Sequence, residues 1–155
     1  AVCAYAGADG VHIYKWGSSG VQHFQSLDAG SDSRGAEHVA VGDKDYLVVV
    51  RFKANTKSKV YLWDAVKGFE KKQDFDTSGA RRVKSFAIGS DMYSVVINNE
   101  DEPSKTYGLS NVYRWDKGNG AKPLDFLHEL RTYKAWDAEH FEVEGHHYLA
   151  VANDG

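Results

Sequence analysis

Short apolar segments recur along the chain, separated by polar and glycine-rich stretches. Ile13-Tyr14-Lys15-Trp16, Val60-Tyr61-Leu62-Trp63 and Val112-Tyr113-Arg114-Trp115 share the pattern aliphatic-Tyr-x-Trp. Their period-2 alternation predicts strands with Tyr and Trp on one face. A second block, Tyr46 to Val50, Tyr93 to Ile97 and Tyr148 to Ala152, is apolar on both faces, as in a strand held between layers. The Trp of the first block precedes the Tyr of the second by 30, 30 and 33 residues. A third block lies between them: Ala36-Glu37-His38-Val39, Val83-Lys84-Ser85-Phe86 and Ala138-Glu139-His140-Phe141, each followed by Gly42, Gly89 or Gly145. Weaker apolar positions follow the first block, around Phe24 and Leu27, Phe69 and Phe75, and Phe126 and Leu130. The first two copies align at a 47-residue offset without a gap. No stretch carries a helical period, so the chain reads as all-β, with three repeats of four short antiparallel strands.

The third repeat carries a family resemblance. Val112-Tyr113-Arg114-Trp115, Leu130-Arg131-Thr132, Ala135-Trp136-Asp137, Phe141-Glu142-Val143 and Tyr148 to Asn153 resemble one epitempin (EPTP, or EAR) repeat. The second repeat matches through Val60-Tyr61-Leu62-Trp63, Thr77-Ser78-Gly79-Ala80 and Phe86-Ala87-Ile88-Gly89. The first departs from the pattern, with Val39 where the family favours Phe and Gly35 where the third repeat has Asp137. The resemblance implies propeller blades and a role in extracellular recognition, since family members form seven-bladed propellers on secreted or cell-surface proteins.

Residues 1–155 are expected to form a single repeat domain, with repeats at about 11–57, 58–109 and 110–155 and residues 1–10 as an N-terminal closing strand. Three blades do not close a propeller, which typically needs four to eight. The expectation is three four-stranded blades that complete a six-bladed ring by homodimerisation. Ala1 to Ala6 echoes Ala150 to Asn153, as if the chain opened on the last strand of a preceding blade. A β-trefoil, also built of three four-stranded repeats, is the alternative.

Composition narrows the function. The 155 residues bring 19 Lys and Arg against 22 Asp and Glu, a net charge of −3. No basic stretch persists, which argues against a nucleic-acid partner. No apolar run reaches the roughly 20 residues of a membrane span. Aromatic residues reach 13%, and most recur in register, which assigns them to packing rather than to a ligand. A removed signal peptide is one reading of the Ala1 start, and a secreted, extracellular protein is expected. The single cysteine, Cys3, forms no internal disulfide and reads as a small buried thiol.

No enzyme, cofactor or metal is expected. The seven His have no metal spacing, and one Cys excludes a thiolate zinc site. The oxygen-rich run Asn98 to Glu102 lacks the alternating ligands and Gly of a calcium loop. Candidate ligand contacts are the repeated pairs Glu37-His38 and Glu139-His140, with Arg34, Arg81-Arg82 and Trp136-Asp137 just upstream of the third block. Carboxylate, imidazole, guanidinium and a flat aromatic are the groups of a sugar site, and a polar turn with internal ion pairs is the alternative. The unrepeated Tyr107 and Tyr133 are further candidates. The leading expectation is a lectin for β-galactoside-type glycans or glycoproteins, multivalent through its repeats. The alternative is a protein-recognition module for an extracellular receptor domain.

Overall fold

The computed structural model describes residues 2–4, 10–53, 56–99, 108–118 and 121–154. Thirteen antiparallel strands form four sheets, and no helix occurs among these residues. β1 (Val2–Ala4), β2 (Val11–Gly17) and β3 (Gly20–Leu27) make a three-stranded sheet. The next sheet is complete, with β4 (Ser33–Val41), β5 (Lys44–Arg51), β6 (Thr56–Asp64) and β7 (Gly68–Thr77) in sequential order. So is the one after it, β8 (Ala80–Ile88), β9 (Asp91–Asn98), β10 (Gly108–Trp115) and β11 (Leu124–Thr132). β12 (Ala135–Val143) and β13 (His146–Asn153) form the last, two-stranded sheet.

The expected three four-stranded blades are therefore two, flanked by a three-stranded and a two-stranded sheet. The reason lies in phase. The second, third and last sheets begin with the strand of the Glu-His block, so in both complete sheets the Tyr-x-Trp strand that opens the sequence repeat is the third strand. The β-trefoil finds no support, because the strands stay in separate sheets and no barrel closes among the described residues. The architecture is propeller-like, with β4 packed on β8 and β8 on β12, first strand against first strand.

Two of the three doubly apolar strands do what their composition demands, whereas the third, Tyr148 to Ala152 in β13, is mostly exposed because no described sheet covers its outer face. In β5, Tyr46, Val48 and Val50 face the core shared with the following sheet, while Leu47 and Val49 face the preceding one. In β9, Val96 joins the first of these cores, and Val95 and Ile97 meet Ala135 and Ala138 of β12. Burying each such side chain stabilises the fold by about 1.5–3 kcal/mol.

The repeated Trp residues share a position but not an environment. Trp115 is 2% exposed, packs on Tyr46 of the preceding sheet at 4.9 Å and donates from Nε1 to Ser94 Oγ at 2.8 Å. Trp63 is 39% exposed and meets Phe24 of the preceding sheet at 5.7 Å. Trp16 belongs to the first sheet and is 78% exposed. Each Trp is covered as far as the sheet before it allows.

A buried hydroxyl pair also recurs. Ser58 Oγ meets Thr77 Oγ1 at 2.7 Å, and Ser110 Oγ meets Thr132 Oγ1 at 3.0 Å. Each Ser also accepts a backbone N–H from the neighbouring strand, from Arg51 and from Asn98. These bonds satisfy groups that would otherwise be costly to bury.

Candidate functional site

The starts of β4, β8 and β12 are built alike. The residue before each strand's entry, Asp32, Gly79 or Lys134, has positive φ, at 64°, 65° and 44°. Its carbonyl accepts an N–H from the residue just past the second strand, namely Phe52, Asn99 or Asp154. One or two residues later the ladder slips, between Ser33 and Gly35, Ala80 and Arg82, and Ala135 and Asp137. The extra residues are Arg34, Arg81 and Trp136. A β-bulge leaves its added residue outside the ladder and re-aims its side chain. Three successive sheets thus project one bulge residue each from the same end.

The close approach of these strands has a residue-level cause. A Cβ on Gly35 would lie 2.8 Å from the Arg81 carbonyl oxygen and 3.3 Å from the Arg82 Cα. Gly35 departs from the family pattern because the backbone of β8 occupies the space a side chain would need.

The side chains at this end gather. The Arg81 guanidinium carbon lies 3.9 Å from the centre of the Trp136 ring and 4.6 Å from that of Phe52. The Arg34 guanidinium also sits over Phe52, at 5.4 Å. Trp136 remains 47% exposed, and its Nε1 donates to Asp154 Oδ2 at 3.4 Å. Arg81 Nε is buried and has no hydrogen-bond partner. Burial, and then the charge of Arg34, lower the Arg81 pKa from its ordinary value.

The other predicted residues form cross-sheet pairs along the first strands. Arg82 Nε lies 3.8 Å from Asp137 Oδ1, and Lys84 Nζ 3.7 Å from Glu139 Oε2. Glu37, Lys84 and Glu139 occupy one repeat position, so Lys84 inverts the charge exactly where β8 runs between two Glu-bearing strands. His38 turns to Asp45 of β5, at 2.7 Å. His140 stacks on Phe86 at 4.4 Å and meets His147 Nδ1 at 3.2 Å. Arg81 and Trp136 are brought together; His38 and His140 lie further along their strands with partners of their own. Tyr133 is exposed at the turn before β12, where its N–H donates to Asn153 Oδ1 at 2.9 Å. Tyr107 and the calcium-like positions Glu100 to Glu102 lie outside the described residues, as do the side chains of residues 1–9, Cys3 included.

Phe52 escapes sequence reasoning. Its signal is a departure from the repeat, since an aromatic stands where the other two copies have Asn99 and Asp154. Among the described residues no group of three or more His, Cys, Asp or Glu converges as a metal site would. No helix there is long and apolar enough to cross a membrane.

A family model for the EPTP domain matches residues 22–64, 68–116 and 126–155. The chain belongs to the EPTP family. It is 32% identical over 135 residues to the human (Homo sapiens) thrombospondin-type laminin G domain and EAR repeat-containing protein, covering 86% of this chain and 19% of that protein. To the protein of the same description from Mus musculus it is 28% identical over 146 residues, covering 91% of this chain and 21% of that protein. The chain therefore spans about a fifth of the length of these relatives.

Proposed function

We propose that this EPTP chain is an extracellular protein-recognition module whose docking face is the strand-start end of β4, β8 and β12. The observation that carries the reading is the projection of Arg34, Arg81 and Trp136 from three aligned bulges. A backbone device repeated in three sheets there presents differing side chains, the arrangement a recognition surface needs. Arg and Trp are also the residue types that dominate binding energy at protein interfaces.

The glycan reading draws less support. One face of Trp136 is occupied by Arg81, Glu139 is drawn to Lys84, and His38 to Asp45. Of the groups that would meet sugar hydroxyls, Glu139 and His38 are engaged within the protein. A six-bladed ring completed by a second chain belongs to the same proposal. It rests on the repeat count and on the exposed Trp16, at the position where Trp63 and Trp115 pack on a neighbour. A one-chain mass in solution for the folded protein would reject that ring.

The test is to probe an array of cell-surface and secreted ectodomains with the chain, beside a glycan array. A saturable ectodomain hit that Trp136→Ala removes, with melting retained, supports the recognition face. Glycan binding without any ectodomain hit would overturn it in favour of a lectin.

A further inference from the structure

The cluster at the strand starts is electrostatically incomplete. Two guanidinium groups, Arg34 and Arg81, share the Phe52 ring, and among the described residues neither has a carboxylate within ion-pair distance. The neighbouring Arg82 does have one, in Asp137. Arg81 is held between two aromatic rings, with its Nε buried and unbonded. A buried donor without an acceptor is a standing cost. Placing a second cation beside it adds to that cost, as the lowered Arg81 pKa reflects. An anion arriving at the remaining guanidinium edges relieves the repulsion.

We propose that Arg34 and Arg81, flanked by Phe52 and Trp136, form a binding site for a side-chain carboxylate of an acidic segment on a protein partner. This rests on the recognition reading above and names the chemistry of its partner. The planar guanidinium fork matches a carboxylate in two parallel hydrogen bonds. The rings hold Arg81 flat and offer apolar surface to the partner's methylene groups. The surroundings select against a polyanion. Asp137 lies beside the cluster through Arg82, Asp154 touches Trp136, and Glu139 follows on the same strand. The chain as a whole carries −3. A densely sulfated polymer would meet this acidic rim, whereas one or two carboxylates on a peptide would pass within it.

The probe is an N-acetylated, C-amidated octapeptide of alternating Glu and Ala, with its Gln counterpart and a heparin-derived oligosaccharide as comparisons. Binding is read from the NMR signals of the Arg81 Nε–H and the Trp136 indole N–H. The Glu peptide is expected to shift both signals saturably, and the Gln peptide to shift neither. Arg34→Gln and Arg81→Gln should each weaken binding at least about tenfold, the loss of one charged hydrogen-bonded contact. Lys71→Gln removes the same charge from an Asp74 pair on β7 and should change affinity less than twofold. If Arg81→Gln fails to fold by circular dichroism, Arg81→Lys, which keeps the charge and loses the fork, should still weaken binding. Equal binding of the Gln peptide, equal loss on Lys71→Gln, or binding of the oligosaccharide alone would overturn the proposal. Failure of the peptide beside a surviving ectodomain hit removes only the carboxylate assignment. Peptide binding without any ectodomain hit leaves the site and removes the recognition reading.

Discussion

Lys84 Nζ of β8 lies 3.7 Å from Glu139 Oε2 of β12, at one repeat position on two neighbouring first strands. The same position holds Glu37 on β4, so the charge alternates from sheet to sheet. Lys84→Glu would set three carboxylates in a row. We predict a stability loss of about 0.2–1 kcal/mol for Lys84→Glu, the scale of an exposed pair. Glu139→Lys added to Lys84→Glu should recover part of it. Thermal unfolding at low and high salt checks this, since the difference should shrink as salt screens it.

Gly35→Ala should cost about 1–3 kcal/mol, the range for overpacking. The new Cβ would lie 2.8 Å from a backbone oxygen of β8, which has no flexible end to move aside. Gly118→Ala meets only the Asp116 carboxylate at 3.6 Å, an ordinary contact. It should be neutral or stabilise by up to about 1 kcal/mol through the unfolded state. The denaturant midpoint of Gly35→Ala should fall while that of Gly118→Ala stays or rises; equal midpoints would refute the packing account.

Ser110→Ala leaves the buried Asn98 N–H without its acceptor and breaks the bond to Thr132. The expected cost is about 1–3 kcal/mol. Ser58→Ala, its counterpart in the preceding sheet, strands the Arg51 N–H in the same way and should cost a similar amount. Urea unfolding of both variants tests whether the two hydroxyl pairs are equivalent in energy as well as in position.

Alkaline pH should unfold the chain through its tyrosines. Burial raises the pKa of Tyr61 and Tyr113 above the ordinary value, with Asp28 and Asp74 adding to the effect at Tyr61. A raised folded pKa gives stability that is complete below the unfolded pKa of about 10 and is lost as pH climbs beyond it. Tyr61→Phe forfeits the hydroxyl's bond to the Asp28 carbonyl, about 1 kcal/mol at pH 7. The variant should then lose stability more slowly than the native chain above pH 10. Melting temperatures from pH 7 to 11 decide it; parallel curves would show that Tyr61 does not carry the effect.

Much of the fold was legible in residue pattern alone, because period-2 alternation and the doubly apolar Tyr46 and Tyr93 strands state their environments directly. The phase of the sheets was not. A repeat read from sequence can start at any strand, and only hydrogen bonding shows that Ser33 and Ala80, rather than Val60 and Val112, open their sheets. The equal standing of Trp16, Trp63 and Trp115 in sequence also hid their unequal burial, which depends on the preceding sheet. At the candidate site, Arg81 and Trp136 could be aligned as repeat equivalents, but their stacking comes from a bulge and a close strand approach that spacing does not encode. Lys84 stands in sequence only as a departure from the Glu-His pattern, and in the structure it is the counter-charge to Glu139. Phe52 was visible only as an exception to the repeat.

The positive-φ turn and bulge before each first strand separate two kinds of information. Backbone geometry repeats faithfully across Asp32, Gly79 and Lys134, while the residue it displays reads Arg, Arg, Trp. Because the displayed residue sits outside the ladder, it can be rewritten without editing the register beneath it. Each of these three sheets thus contributes one interchangeable letter to the surface, and sequence change at those letters alters what the face says while the frame that holds them stays the same.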